Sequence, residues 1–105
     1  MTDQLVLSGV GGGGATAVSG VVSLHKITHS GDVLVTHMTD PGMLRDMIKA
    51  SAVVTDEGGK MCHAAIVCME LGIPFVVGTR DATSKLTDGM QVTVSPMDGR
   101  VVANG

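Results

Sequence analysis

Four histidines and two cysteines are the side chains in this chain best suited to act as nucleophiles or metal ligands, and one of them stands in a setting that chemistry would use. His63 follows the pair Gly58-Gly59 and opens the apolar run Ala64-Ala65-Ile66-Val67. Adjacent glycines let backbone amides approach an anion closely. A helix start holds unpaired N–H groups and a partial positive charge. Together they make a ready phosphate site. A free imidazole, with an ordinary pKa of about 6.5, is largely neutral at neutral pH, so one ring nitrogen can accept a phosphoryl group. The P–N bond is labile, and the group can be passed on. Gly58, Gly59 and the amides near Cys62 to Ala64 would cradle the phosphate. The competing reading is a histidine that merely caps a helix and bonds a local carbonyl. The glycines before His63 and the small Ala64 and Ala65 after it favour chemistry.

The remaining candidates are weaker. Cys62 is a second nucleophile, since a helix N-terminus lowers a thiol pKa, but its one evident base is His63 itself. Zinc binding by Cys62 and His63 is disfavoured because neighbouring helical residues diverge by about 100°. No metal site is expected. His25 and His29 read as exposed strand or turn residues, and His37 as lining the same end of the sheet as His63. The string Gly9-x-Gly11-x-x-Gly14 matches the dinucleotide fingerprint, with Asp32 about 20 residues further on. That motif needs a helix at the glycines, and Ala15 to Val22 is strand-like instead. The run therefore reads as a flexible turn between two strands. Nucleotide binding there is a minor alternative.

The secondary structure around His63 is read from pattern. Leu5-Val6-Leu7, Val18 to Ile27, Val33-Leu34-Val35, Ala52-Val53-Val54 and Phe75-Val76-Val77 read as strands, with Gly9 to Gly14 a loop. Asp40 is an N-cap with Pro41 at the first helical position. Met43, Leu44, Met47 and Ile48 form an apolar stripe on that helix. A second helix runs from about Cys62 to Leu71, closed by Gly72 and stopped by Pro74. Gln91 to Ser95 and Arg100 to Val102 form a hairpin. Alternating strands and helices imply a small parallel sheet, flanked by antiparallel strands. His63 would lie beyond the carboxyl end of a strand, where open α/β sheets bind ligands.

Composition narrows the function. The 105 residues suit one domain, 1–105, with one modest core. One Phe and no Trp or Tyr exclude base stacking, and a net charge of −3 without a basic run argues against nucleic acid. No apolar stretch approaches the roughly 20 residues that span a bilayer. The first residues lack signal-peptide features. Cys62 and Cys68, six apart on one helix, are not placed for a disulfide, which fits a reducing, cytoplasmic setting.

The stretch Gly58-Gly59-Lys60-Met61-Cys62-His63-Ala64-Ala65-Ile66-Val67, with Glu70-Leu71-Gly72-Ile73-Pro74-Phe75-Val76-Val77-Gly78, resembles the swivelling phosphohistidine domain of the PEP-utilising enzymes. That is the mobile domain of the phosphoenolpyruvate synthase and pyruvate phosphate dikinase type. Asp32 to Thr36 with Met38-Thr39-Asp40-Pro41, and Val92-Thr93-Val94 with Asp98 to Val101, extend the likeness over nearly the whole chain. The resemblance implies an α/β fold of β/β/α layers with two to three helices. It implies that His63 is phosphorylated and shuttles between an ATP-grasp nucleotide-binding domain and a PEP/pyruvate-binding TIM barrel. These partners would act in cis or in trans, and ATP and Mg²⁺ belong with them, leaving no cofactor in this domain. Alone, the domain would be part of a phosphotransferase and not a complete enzyme. Three positions depart from the family pattern. Met61 stands where a regulatory threonine is usual, Met69 where an arginine is usual, and Thr16-Ala17-Val18 replaces a Ser-Pro-Gly-like segment. The alternative function is therefore a non-catalytic binding or regulatory module of the same fold.

Overall fold

The computed structural model describes residues 4–104. Met1 to Asp3, which enter the signal-peptide argument, and Gly105 lie outside that range. In chain order the elements are β1 (Gln4–Ser8), β2 (Val10–Gly12), β3 (Val18–Leu24), β4 (Val33–Thr36), α1 (Leu44–Lys49), β5 (Ala52–Thr55), α2 (His63–Leu71), β6 (Phe75–Val77), α3 (Ala82–Lys85), β7 (Gln91–Ser95) and β8 (Arg100–Asn104). A 3₁₀ turn, Pro41–Met43, leads into α1. The strands follow the order β1-β8-β7-β3-β4-β5-β6-β2. β3 to β6 are parallel; β7, β8 and β1 continue antiparallel on one side, and β2 pairs antiparallel with β6 on the other.

Every residue of β4, β5 and β6 is buried, so both faces of these strands are covered. This is why they read as continuous apolar runs and not as alternating ones. On one face Leu34, Val53, Phe75 and Val77 pack against Met47 of α1 and Ala64, Ala65 and Cys68 of α2. On the other, Val33, Val35, Val54 and Val76 join Leu7, Val92, Val94 and Val101 from the antiparallel strands, with Ala82 and Leu86 from the α3 region. The result is three layers, antiparallel sheet on parallel sheet on helices, as the β/β/α reading expects.

Several local expectations are corrected. The glycine run is not a flexible turn. Gly9 separates β1 from β2, which lie at opposite ends of the strand order, and its N–H donates to the Gly99 carbonyl at 2.8 Å. A Cβ on Gly9 would collide with the Val77 carbonyl, and one on Gly11 with the Pro96 carbonyl. The glycines are there so that backbones can touch. β3 stops at Leu24 short of Ile27, because His25 turns to φ 68°. The apolar stripe is only partly used: Met47 is buried, while Leu44 and Ile48 face solvent. The short helix α3 makes up the third of the two to three helices expected, at a place that no pattern in the sequence marks.

Candidate functional site

β5 delivers the chain to the site, and hydrogen bonds fix the turn beyond it. The Thr79 hydroxyl and amide both donate to the Thr55 carbonyl, at 2.9 and 3.1 Å, and the Gly78 amide reaches the Glu57 carbonyl at 3.3 Å. Gly58 then turns at φ 115°, a conformation that side chains rarely adopt. A Cβ there would sit 2.7 Å from the Cys62 sulfur, so glycine is required on two counts. Cys62 caps α2 with extended backbone angles, and its Sγ accepts from the Ala65 amide at 3.5 Å. The Ile66 amide donates to the Cys62 carbonyl at 3.0 Å. The first-turn amides of His63 and Ala64 have no acceptor within the helix.

His63 is half-buried on this first turn, and its Nδ1 lies 2.8 Å from the hydroxyl of buried Thr39. Its Nε2 has no hydrogen bond among the described residues. A cavity of about 220 Å³ opens over it, bounded by Thr39, Thr55, Glu57, Gly58, Cys62 and Ala64. Thus Gly58, Cys62, His63 and Ala64 come together as a wall. Gly59 does not line the cavity, and open space surrounds its Cα. Met61 and Met69 also lie off the cavity and face solvent.

Glu57 is the one charged side chain lining the cavity. Outside the rim, His37 bridges two carboxylates, with Nε2 2.7 Å from Glu57 Oε2 and Nδ1 3.2 Å from Asp56 Oδ2. The hydrogen bond to Asp56, then the charge of Glu57, raises the His37 pKa above its ordinary value. Asp56 is itself buried and accepts from the Thr83 amide at 2.8 Å and hydroxyl at 2.6 Å. Burial, followed by the charge of Cys62, pushes the Cys68 thiol up to about 12. Both cysteines are free. His25, with Nδ1 3.3 Å from the Thr36 hydroxyl, and His29, 3.9 Å from Asp32, do not join His63 in its cavity. Among the described residues no three His, Cys, Asp or Glu side chains gather as a metal site, and no helix is long and apolar enough to cross a membrane.

Thr39 is the member of the site that the sequence does not announce. The signal for it is topological. β4 and β5 are parallel neighbours in register Thr36 to Thr55, so residues just past Thr36 stand beside those just past Thr55.

The chain as a whole has close relatives. Residues 28–99 match the family described as "PEP-utilising enzyme, mobile domain". The chain belongs to this family. It is 56% identical over 95 residues to a phosphoenolpyruvate synthase of Aeropyrum pernix, covering 90% of this chain and 12% of the relative. Against the Escherichia coli phosphoenolpyruvate synthase it is 50% identical over 90 residues, 86% of this chain and 11% of the relative. The chain therefore spans about an eighth of the length of these curated relatives. An NMR solution structure of Enzyme I superposes with TM-score 0.63 at 29% identity, over 73% of this chain and 32% of that one. The holo-form of aconitase X from Thermococcus kodakaraensis shares the fold alone, with TM-score 0.70 at 18% identity over 94% of this chain and 98% of that one. As a mobile domain of the PEP-utilising family, the chain has relatives whose sequences extend well beyond this domain.

Proposed function

We propose that this mobile domain is a phosphoryl carrier with His63 as its covalent acceptor, in a phosphotransferase that interconverts pyruvate and phosphoenolpyruvate. The observation that carries this reading is the contrast between the two ring nitrogens. Nδ1 is held by Thr39 at 2.8 Å, while Nε2 is unbonded among the described residues and adjoins a cavity. With the Nδ1 proton directed at the Thr39 oxygen, the lone pair resides on Nε2. That pair attacks phosphorus; a P–N bond forms as the bond from phosphorus to the donor oxygen breaks, and the donor oxygen leaves with the electrons. The proton stays on Nδ1, where the Thr39 oxygen accepts its hydrogen bond and eases the positive charge on the ring. The reverse step hands the group to an acceptor oxygen.

The free amides of His63 and Ala64, at the positive end of α2, offset part of the phosphoryl charge. Donor and acceptor sites reside on partner domains: an ATP-grasp domain on one side and a PEP/pyruvate-binding TIM barrel on the other. ATP and Mg²⁺ enter with those partners. The cavity contains one carboxylate, Glu57, and no Lys or Arg, so it offers Mg²⁺ a poor ligand set and relies on a partner for cations.

The chain is incubated with phosphoenolpyruvate and a catalytic amount of a phosphoenolpyruvate synthase, and separately with potassium phosphoramidate as a chemical donor. Intact and fragment mass spectra should show one addition of about 80 Da, the mass of a phosphoryl group, on His63. No addition from either donor, or an addition unchanged by His63→Ala, overturns the reading. A binding module of the same fold is the second reading, favoured by the solvent-facing Met61 and Met69. An NMR titration with inorganic phosphate separates the two: shifts confined to residues 58–65 and to the cavity residues Thr39, Thr55 and Glu57 support the carrier.

A further inference from the structure

We infer that His37 is a positioning residue for the His63 cavity: its imidazolium clamps the Glu57 carboxylate at the cavity rim and offsets the charge that a phosphoryl group on His63 meets. This role rests on the carrier function proposed for His63. Both ring nitrogens of His37 face carboxylates, Glu57 at 2.7 Å and Asp56 at 3.2 Å. A neutral imidazole has one N–H, and would turn a lone pair toward one of these anions. The imidazolium donates to both. The raised pKa of His37 has the same cause.

The clamp has a fixed side and a functional side. Asp56 is buried and held by two bonds from Thr83, and its amide is tied to the Thr36 carbonyl at 3.1 Å. The Glu57 amide is tied to the His37 carbonyl at 3.0 Å. The ring therefore has an immobile anchor, and it steers the Glu57 side chain. An uncompensated carboxylate on this rim would repel a phosphoryl dianion. The other ionisable groups on the surrounding elements are Cys62, His63, Cys68 and Glu70 at the cap and along α2, Lys60 before it, Asp40 at the start of the 3₁₀ turn, Arg80 and Asp81 after β6, and Lys85 on α3. Among the described residues none of their side chains pairs with His37, Asp56 or Glu57. His37 is thus the cation that answers Glu57, and it does so only while protonated. The offset is present below the raised His37 pKa and fades as pH climbs through it.

The test reads the phosphoryl group itself. The full chain is phosphorylated with potassium phosphoramidate, and the ³¹P resonance that His63→Ala removes is titrated from about pH 6 to about pH 9, the range in which a phosphate's second proton and a histidine both ionise. Relative to the parent, His37→Gln should raise the titration midpoint by about 0.2 to 0.7 units, the shift that an exposed ion pair's energy allows. Glu57→Gln should lower it. In the Glu57→Gln background the His37→Gln shift should shrink, because there is no rim carboxylate left to clamp and only the imidazolium held by Asp56 is removed, an outcome that a merely structural role for His37 does not produce. A His37→Gln midpoint equal to the parent's, or a shift of undiminished size without Glu57, overturns the clamp and leaves the carrier role intact. No His63 resonance at all overturns both.

Discussion

At the residue scale, the proposed carrier role turns on Thr39, whose hydroxyl lies 2.8 Å from His63 Nδ1, while Nε2 has no hydrogen bond among the described residues. Thr39→Val keeps the shape and removes that hydroxyl. On the carrier role, phosphorylation of His63 by phosphoramidate should slow by about fivefold, the worth of one ordinary hydrogen bond, and Thr39→Ser should restore it. Time-resolved ³¹P spectra measure both. A second expectation concerns the thiols. Cys68 is buried with its thiol pushed up to about 12, so it stays protonated across the neutral and mildly alkaline range. Native protein at about pH 8 should therefore yield one reactive thiol to Ellman's reagent, Cys62, and unfolded protein two. His63 is legible in the sequence because its neighbours in the chain, the glycines and the small alanines, carry the signal. Thr39 is not, since it lies 24 residues away and meets His63 only through the pairing of β4 with β5.

At the element scale, the turn between β5 and α2 separates two glycines that look equivalent in the sequence. Gly58→Ala meets both a left-handed backbone and the Cys62 sulfur, and should cost about 1 to 3 kcal/mol. Gly59→Ala meets nothing and should stay within about 0.5 kcal/mol of the parent. Urea midpoints compare them. The strands β4, β5 and β6, the cap at Asp40 and the helix α2 are readable from continuous apolar runs and stop signals. Asp40 indeed accepts from the Gly42 amide at 2.8 Å. The strand β2 is not readable. Its sequence, Val-Gly-Gly, is chosen for closeness to other backbones, which local propensity scores as loop. The stripe on α1 misleads for a related reason: periodicity shows what a helix could bury, and here Met47 is buried and Met43 partly covered, while Leu44 and Ile48 face solvent.

At the scale of the whole molecule, the order of strands makes β1 and β2 the two outermost members of one sheet, although a single residue separates them. The chain's opening segment thus covers β8 with one half and β6 with the other. Deleting residues 1–8 should uncover β8, lower the urea midpoint and promote self-association through the freed edge. Size-exclusion chromatography detects the association. The same pairing carries a consequence for biosynthesis. Within this domain β1 is made before every other described element, and its ladder runs from Gln4 with Asn104 to Ser8 with Arg100. The segment from β4 to β6 holds its strands and crossover helices within one short stretch of chain. Contacts so far apart in sequence form late, since closing the longer loop costs more entropy. Leu5, Val6 and Leu7 must therefore wait, unpaired, until nearly the whole domain has been made.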